Sequence, residues 1–316
     1  MKKKLLMAAI AAMIAMPTMT ALAAPVQVDG EIEMQYSQEN GTAKNDGGRF
    51  TLKLNAKTNV AKNLDLYGRF AAQGITQENF RNDFRNTGAG AYSQDTKSMM
   101  EFDQFGFLYE NAGVNYKLGR QGGTIGATAL LYSTEGYVGR DMMADGITIK
   151  GKSGVTDFSV TALKEVYNDS NKAYAVSASY KPAKDWTLGA TLARYDAAAA
   201  DRNYWAVNTG YEMGKANFTA EYAKSNASDA NKAYDLGVSY AFDKKLSASA
   251  TYYRVENNAD MGGWTDFDQN MKGFYYGLNY KPDAKTAFKL LFKDIEQIDN
   301  SAVKSKQFRA TVSYLF

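Results

Sequence analysis

The chain of 316 residues has no cysteine and no histidine, only 4 prolines, and no long apolar run beyond its N-terminus. Each absence removes a class of protein. Without cysteine there is no disulfide framework, thiolate nucleophile or cysteine zinc site. Without histidine there is no Ser-His-Asp triad, no imidazole base and no imidazole metal ligand. No apolar stretch reaches the roughly 20 residues of a membrane-spanning helix, and the mean hydropathy is −0.43. Yet hydrophobic residues make up 45%, too many for a disordered chain, and the 22 tyrosines and 27 glycines favour β structure.

Lys2, Lys3 and Lys4 precede an apolar stretch from Leu5 to Met16, followed by Pro17 and Ala21-Leu22-Ala23. A basic start, a short apolar centre and a small-x-small end predict a cleaved signal peptide at residues 1–23. Loss of its three lysines from the 37 basic groups brings them level with the 34 acidic ones. The overall +3 therefore points to no nucleic-acid partner.

From Val26 onward, apolar and polar residues alternate in short runs. Val28, Ile32, Met34 and Tyr36 alternate with Asp29, Glu31, Glu33 and Gln35; Phe50, Leu52 and Leu54 alternate with Arg49, Thr51 and Lys53. A period of two places each set on one face of a strand. In the C-terminal half, five strands carry two aromatics six residues apart: Tyr174 and Tyr180, Trp205 and Tyr211, Tyr234 and Tyr240, Phe274 and Tyr280, Phe308 and Tyr314. An even spacing keeps both on one face, about 20 Å apart. The residues between them on that face are mostly apolar, such as Val176, Val207, Leu236, Val238 and Val312. An apolar band with aromatics at two heights is the pattern of a transmembrane β-barrel. A soluble β-sandwich or propeller would also have an apolar inner face, but not aromatics at two fixed levels.

About sixteen such strands fit between 26 and 316. Short joints fall at 59–63, 111, 153, 183–184, 214–215, 243–244 and 282–285; generally longer ones fall at 38–47, 75–98, 122–140, 167–171, 197–202, 226–231, 257–271 and 298–304. Short turns on one rim and long loops on the other are the asymmetry of an outer-membrane barrel. The expectation is an all-β, transmembrane antiparallel barrel occupying 24–316 as one domain. Residues 99–121 are ambiguous, because Glu101, Asp103, Phe105 and Phe107 fit either face.

In these features the chain resembles the general bacterial outer-membrane porins. The signal segment, the alternating strands, a third loop entered through Leu118-Gly119-Arg120-Gln121 and the ending Val312-Ser313-Tyr314-Leu315-Phe316 carry the likeness. The resemblance implies location in a bacterial outer membrane, contact with its lipid, a homotrimer, and recognition by the barrel-assembly machinery through Phe316. It also implies that the third loop, 122–140, folds inward and narrows the pore. That segment has Ala127, Ala129, Leu130, Leu131, Tyr132 and Tyr137, more apolar residues than an exposed loop usually carries.

About sixteen strands enclose an aqueous channel, whose selectivity follows from its width and fixed charges. Carrying the family's basic wall onto this sequence makes Arg49, Lys53, Arg69 and Arg120 the wall, with Lys150 nearby, and Glu135 and Asp141 the loop side, beside Arg140. The expected function is passive diffusion of ions and small hydrophilic solutes, with no cofactor, no metal and no enzymatic chemistry. The alternatives are a channel selective for oligosaccharides or organic acids, with Tyr67, Tyr109, Tyr132 and Tyr137 as a stacking track, and a structural barrel that does not conduct.

Overall fold

The computed structural model describes residues 25–41, 44–76, 98–198 and 200–316. The expected signal segment at 1–23 and most of the second long connection lie outside these residues. The described chain forms one closed antiparallel barrel of sixteen strands. In chain order they are β1 (Gln27–Asn40), β2 (Lys44–Ala61), β3 (Leu64–Ile75), β4 (Ser98–Asn111), β5 (Val114–Gln121), then, after two short strands in a loop, β6 (Thr124–Ile125) and β7 (Tyr132–Ser133), β8 (Ala144–Ser153), β9 (Thr156–Glu165), β10 (Lys172–Ala183), β11 (Trp186–Asp196), β12 (Arg202–Met213), β13 (Ala216–Ser225), β14 (Lys232–Ala241), β15 (Leu246–Val255), β16 (Met271–Tyr280), β17 (Thr286–Gln297) and β18 (Lys304–Leu315). Every barrel strand pairs with its neighbour in sequence, and β1 closes on β18. Closure leaves no unpaired edge, which is the condition for standing in hydrocarbon. Phe316 extends the closing seam: its amide donates to the Gly30 carbonyl and its own carbonyl accepts from the Gly30 amide, both at 3.1 Å.

The apolar faces do not pack against one another. Leu192 is 68% exposed, Val28 65% and Leu236 57%, so they point outward, as a lipid-facing surface requires and a sandwich core forbids. The ten expected belt aromatics all lie on this outer face. Tyr234 is half-buried and packs against Tyr252, with ring centres 6.2 Å apart. Two tight turns between strands share one device. Asp243 accepts the amides of Lys245 and Leu246, and Asp283 those of Lys285 and Thr286. These amides hold both exposed carboxyls below the usual range.

The ambiguity at 99–121 has a structural cause. The register between β3 and β4 slips at Arg69/Phe70, leaving Asp103 as an extra residue. A bulge of this kind switches which parity faces out. Met100 and Phe102 point outward before it, Phe105 and Phe107 after it, and the rings of Phe102 and Phe105 stack 5.9 Å apart. On the inner face beside the bulge, Gly106, Gly119 and Gly146 lie side by side in register. A Cβ at any of them would strike the backbone of a neighbouring strand. Tyr67 on β3 uses this clearance: its hydroxyl reaches past β4 and donates to the Arg120 carbonyl on β5 at 3.0 Å.

Candidate functional site

The chain between β5 and β8, residues 122–143, begins as a small hairpin. Thr124 pairs with Ser133 and Ile125 with Tyr132. The Thr134 hydroxyl oxygen steadies its base by accepting the Gly123 amide at 3.0 Å. At the hairpin tip, Glu221 on β13 accepts the amides of Ala127 and Thr128 at 3.0 and 2.7 Å. The Thr128 hydroxyl lies 2.6 Å from both Glu221 and Asp235, the latter on β14. Round the barrel, β13 and β14 are six and seven strands from β5.

The return limb is tied to the other side. Arg69 on β3 makes a two-pronged ion pair with Asp103 on β4 at 2.8 and 2.7 Å. The same guanidinium donates to the Tyr137 carbonyl at 2.9 Å, and Asp103 accepts the Gly139 amide at 2.8 Å. Arg140, opening a single 3-10 turn at Arg140–Met142, donates its amide to Glu101 at 2.8 Å and its side chain to Asp141 at 3.2 Å.

A second loop, between β15 and β16, joins the first. Leu131 and Trp264 carbonyls accept the Met261 and Ser133 amides at 2.9 and 2.6 Å, and the Ala129 carbonyl accepts the Asp266 amide at 3.3 Å. Trp264 meets Tyr132 and Tyr137, each with ring centres 6.4 Å apart. Together with Leu130, Leu131, Met261 and wall residues such as Leu163, Tyr204 and Tyr253, they form the largest buried apolar cluster described. Within the second loop, Asp268 accepts from Lys293 at 2.9 Å and from Tyr275 at 2.6 Å. Asp260 accepts from Gln269 at 2.6 Å while its other oxygen finds no partner among the described residues. Burial pushes its carboxyl up to about 7, against the pull of the Gln269 and Gly263 hydrogen bonds. From the sequence, 257–271 is expected only as a long connection. Its Met261, Trp264 and Phe267 are the same kind of apolar signal that marked the third loop.

The expected wall charges separate into three groups. Arg49 and Lys53 alternate with the outward Phe50, Leu52 and Leu54, and pair across the β1–β2 ladder with Glu33 at 3.4 Å and Glu31 at 3.1 Å. Arg69 faces inward but is buried and paired, so it is a strut for the return limb and not a free wall charge. Arg120 corrects the expectation. It shares the outward parity of Leu118, lies with its guanidinium 5.1 Å from the centre of the exposed Phe105 ring, and pairs with Asp145 at 2.9 Å. The inward cation on that strand is Lys117, 5.2 Å above the Tyr67 ring. Lys117, Lys150 and Glu135 border one cavity of about 520 Å³, which Lys57, Asp65 and Glu110 also line. The four tyrosines do not form a track. Tyr109 is on the outer face against Tyr116, and Tyr132 is buried in the apolar cluster.

A closed sixteen-stranded barrel with an apolar exterior and charged and polar side chains on its inner face defines the class of outer-membrane β-barrel channels. Residues 8–316 of the chain match the family model for Gram-negative porins. The chain therefore belongs to the Gram-negative porin family, whose members are passive diffusion channels of the outer membrane. No curated protein matches the sequence. Solved structures share the fold at low identity. A Rhodopseudomonas blastica porin variant superposes with a TM-score of 0.62 at 10% identity over 92% of this chain and 100% of that one. Salmonella typhi OmpF, in a complex with daunomycin, gives 0.60 at 13% over 92% and 97%. A loop-deletion variant of OmpT, an outer membrane protein of Vibrio cholerae, gives 0.61 at 12% over 94% and 100%.

Proposed function

We propose that the third loop lies inside the lumen and, with the 256–270 loop braced on it, sets the narrowest passage for ions and small hydrophilic solutes. The observation that carries this reading is that one loop is tied at its tip to Glu221 and Asp235 and on its return to Arg69 and Asp103. Solutes pass between these loops and the β1–β2 wall, where Arg49 and Lys53 face water beside Glu31 and Glu33. Because each cation there is close to a carboxylate, removing the cation leaves a net negative site. Lys53→Ala is expected to fold normally and to move the reversal potential in a KCl gradient toward cation preference. An unchanged potential would remove Lys53 and its ladder from the ion path.

Cleavage of residues 1–23, recognition of Phe316 during assembly and a homotrimeric state complete the reading, supported by the signal pattern, by the seam position of Phe316 and by family membership. Cross-linking of the detergent-extracted protein tests the trimer. A solute-selective channel is the weaker reading, because Tyr109 is on the outer face and Tyr132 is in the buried cluster, so neither joins Tyr67 in lining the lumen. Saturating solute flux would revive it.

A further inference from the structure

On the short-turn side of the third loop, the inner wall holds polar side chains that the passage between the loops and the β1–β2 wall does not use. They line the cavity of about 520 Å³ between the base of that loop and strands β2 to β5 and β8. The strand registers set them out in two rows. The row nearer the loop runs Asn59, Asp65, Leu108, Lys117 and Thr148; the row nearer the short turns runs Glu110, Asn115 and Lys150. Loopward of the first row lies the bare stretch of Gly106, Gly119 and Gly146, which the Tyr67 ring crosses beneath the Lys117 ammonium. Glu135 closes the loop side. A Cβ on Gly122 would stand 2.7 Å from the Glu135 Cα, and the Glu135 carboxylate accepts the Thr124 hydroxyl at 3.3 Å.

Three amines and three carboxylates line this cavity. One of each is engaged: Lys57 pairs with Asp65 at 3.3 Å, and Asn59 donates to the same carboxylate at 3.0 Å. Lys117, Lys150 and Glu110 are in no ion pair among the described residues, and the side chains of Asn115 and Thr148 make no hydrogen bond among them. Lys117 and Lys150 are diagonal neighbours on adjacent strands, close enough for each to act on the other's charge. Glu135 also acts on Lys117, from beyond ion-pair distance. A simple anion on the amine pair therefore meets Glu135 and Glu110 as well and gains little. A solute with one charge of each sign gains at both ends. Glu110 and Lys150 stand in one row two strands apart, so their backbones are about 10 Å apart. An extended peptide of two or three residues spans about 7–10 Å.

Resting on the channel reading given above, we infer that this cavity holds a zwitterionic peptide of two or three residues on the short-turn side of the narrowest passage. The peptide lies across the lower row. Its ammonium meets Glu110, its carboxylate meets Lys150 and Lys117, and its amide groups meet Asn115 and Thr148 between them. The Tyr67 ring holds the Lys117 ammonium in place from below. Glu135 keeps the amine pair from taking up free anions.

The full barrel, purified in detergent, is titrated calorimetrically with alanylalanine, with its N-acetyl form, which lacks the ammonium, and with its C-terminal amide, which lacks the carboxylate. The free dipeptide is expected to bind, and each blocked form to bind roughly tenfold more weakly, the worth of one hydrogen bond to a charged group. Lys150→Gln is expected to weaken the free dipeptide by a similar factor and to leave the amide unchanged. Glu110→Gln is expected to weaken the free dipeptide and to leave the N-acetyl form unchanged, which keeps the test open should the β8 variant fail to fold. Blocked forms that bind as well as the free dipeptide, or two variants that both bind it as wild type does, would overturn the inference. So would displacement of the dipeptide by an equal concentration of ammonium acetate, which supplies the two charges on separate ions. Planar-bilayer conductance in KCl reports separately on the channel reading: a conducting barrel that binds no dipeptide removes the site alone, and a binding barrel that does not conduct removes the channel alone.

Discussion

Asp103 is the residue whose loss should disturb the passage most without touching a solute. Its two carboxylate oxygens take both prongs of Arg69 and the Gly139 amide, all within 2.8 Å. The Asp103 side chain is 0% exposed and that of Arg69 9%, so water screens the pair little. In Asp103→Ala the guanidinium is left charged and buried, a change worth about 3–5 kcal/mol for a broken buried pair. The barrel ladder does not depend on this pair, so the cost falls on the attachment of residues 136–143. At 1.4 kcal/mol per decade, the detached population rises by a factor of roughly 10² to 10⁴. Hydrogen exchange of peptides covering 136–143 reads this directly, and single-channel recordings should gain noise in the open state. Arg69→Met combined with Asp103→Ala removes the stranded charge and should recover part of the protection, giving a coupling energy from the cycle. Exchange at 136–143 in Asp103→Ala equal to wild type would refute the idea that this pair fastens the loop.

Two other perturbations test separate parts of the account. Val238→Arg puts a cation on the lipid face of β14, between the levels of Tyr234 and Tyr240, at a cost of about 2–4 kcal/mol at mid-depth; folded yield, read from heat-modifiable gel mobility, should fall, and a normal yield would reverse the facing of that strand. Asp260 gives a pH dependence with a definite sign. Its carboxyl in the packed loop titrates at about 7, above its ordinary 3.8, so the packed loop holds the proton more tightly than the loosened one. The stabilisation is complete below 3.8 and is lost as pH rises to about 7. Exchange of residues 257–269, corrected for intrinsic rate, should quicken across that window in wild type and not in Asp260→Asn; parallel profiles would remove Asp260 as the cause.

What could be read from the sequence follows from where a wrong residue is expensive. A charge facing lipid at mid-depth costs kilocalories, so outward positions are held to a narrow set, and alternation exposed them along β1, β2 and the aromatic-belted strands. The same constraint made the loop asymmetry legible, because each strand must end where the apolar band ends. A charge facing the lumen costs little whether it is free, paired or lining a cavity. Nothing in the spacing of Arg49, Arg69 and Lys150 therefore separates a wall charge from a strut. Arg69 faces inward, but its partner Asp103 is the extra residue of a bulge, and a bulge erases the parity from which a partner is inferred. Arg120 falls in that same ambiguous stretch, and there the inward expectation fails. It lies at the rim, where an arginine can sit outward because it pairs with Asp145 and covers Phe105. Lipid thus constrains the outside residue by residue, whereas water constrains the inside only in aggregate, so the functional side chains are the ones that need coordinates.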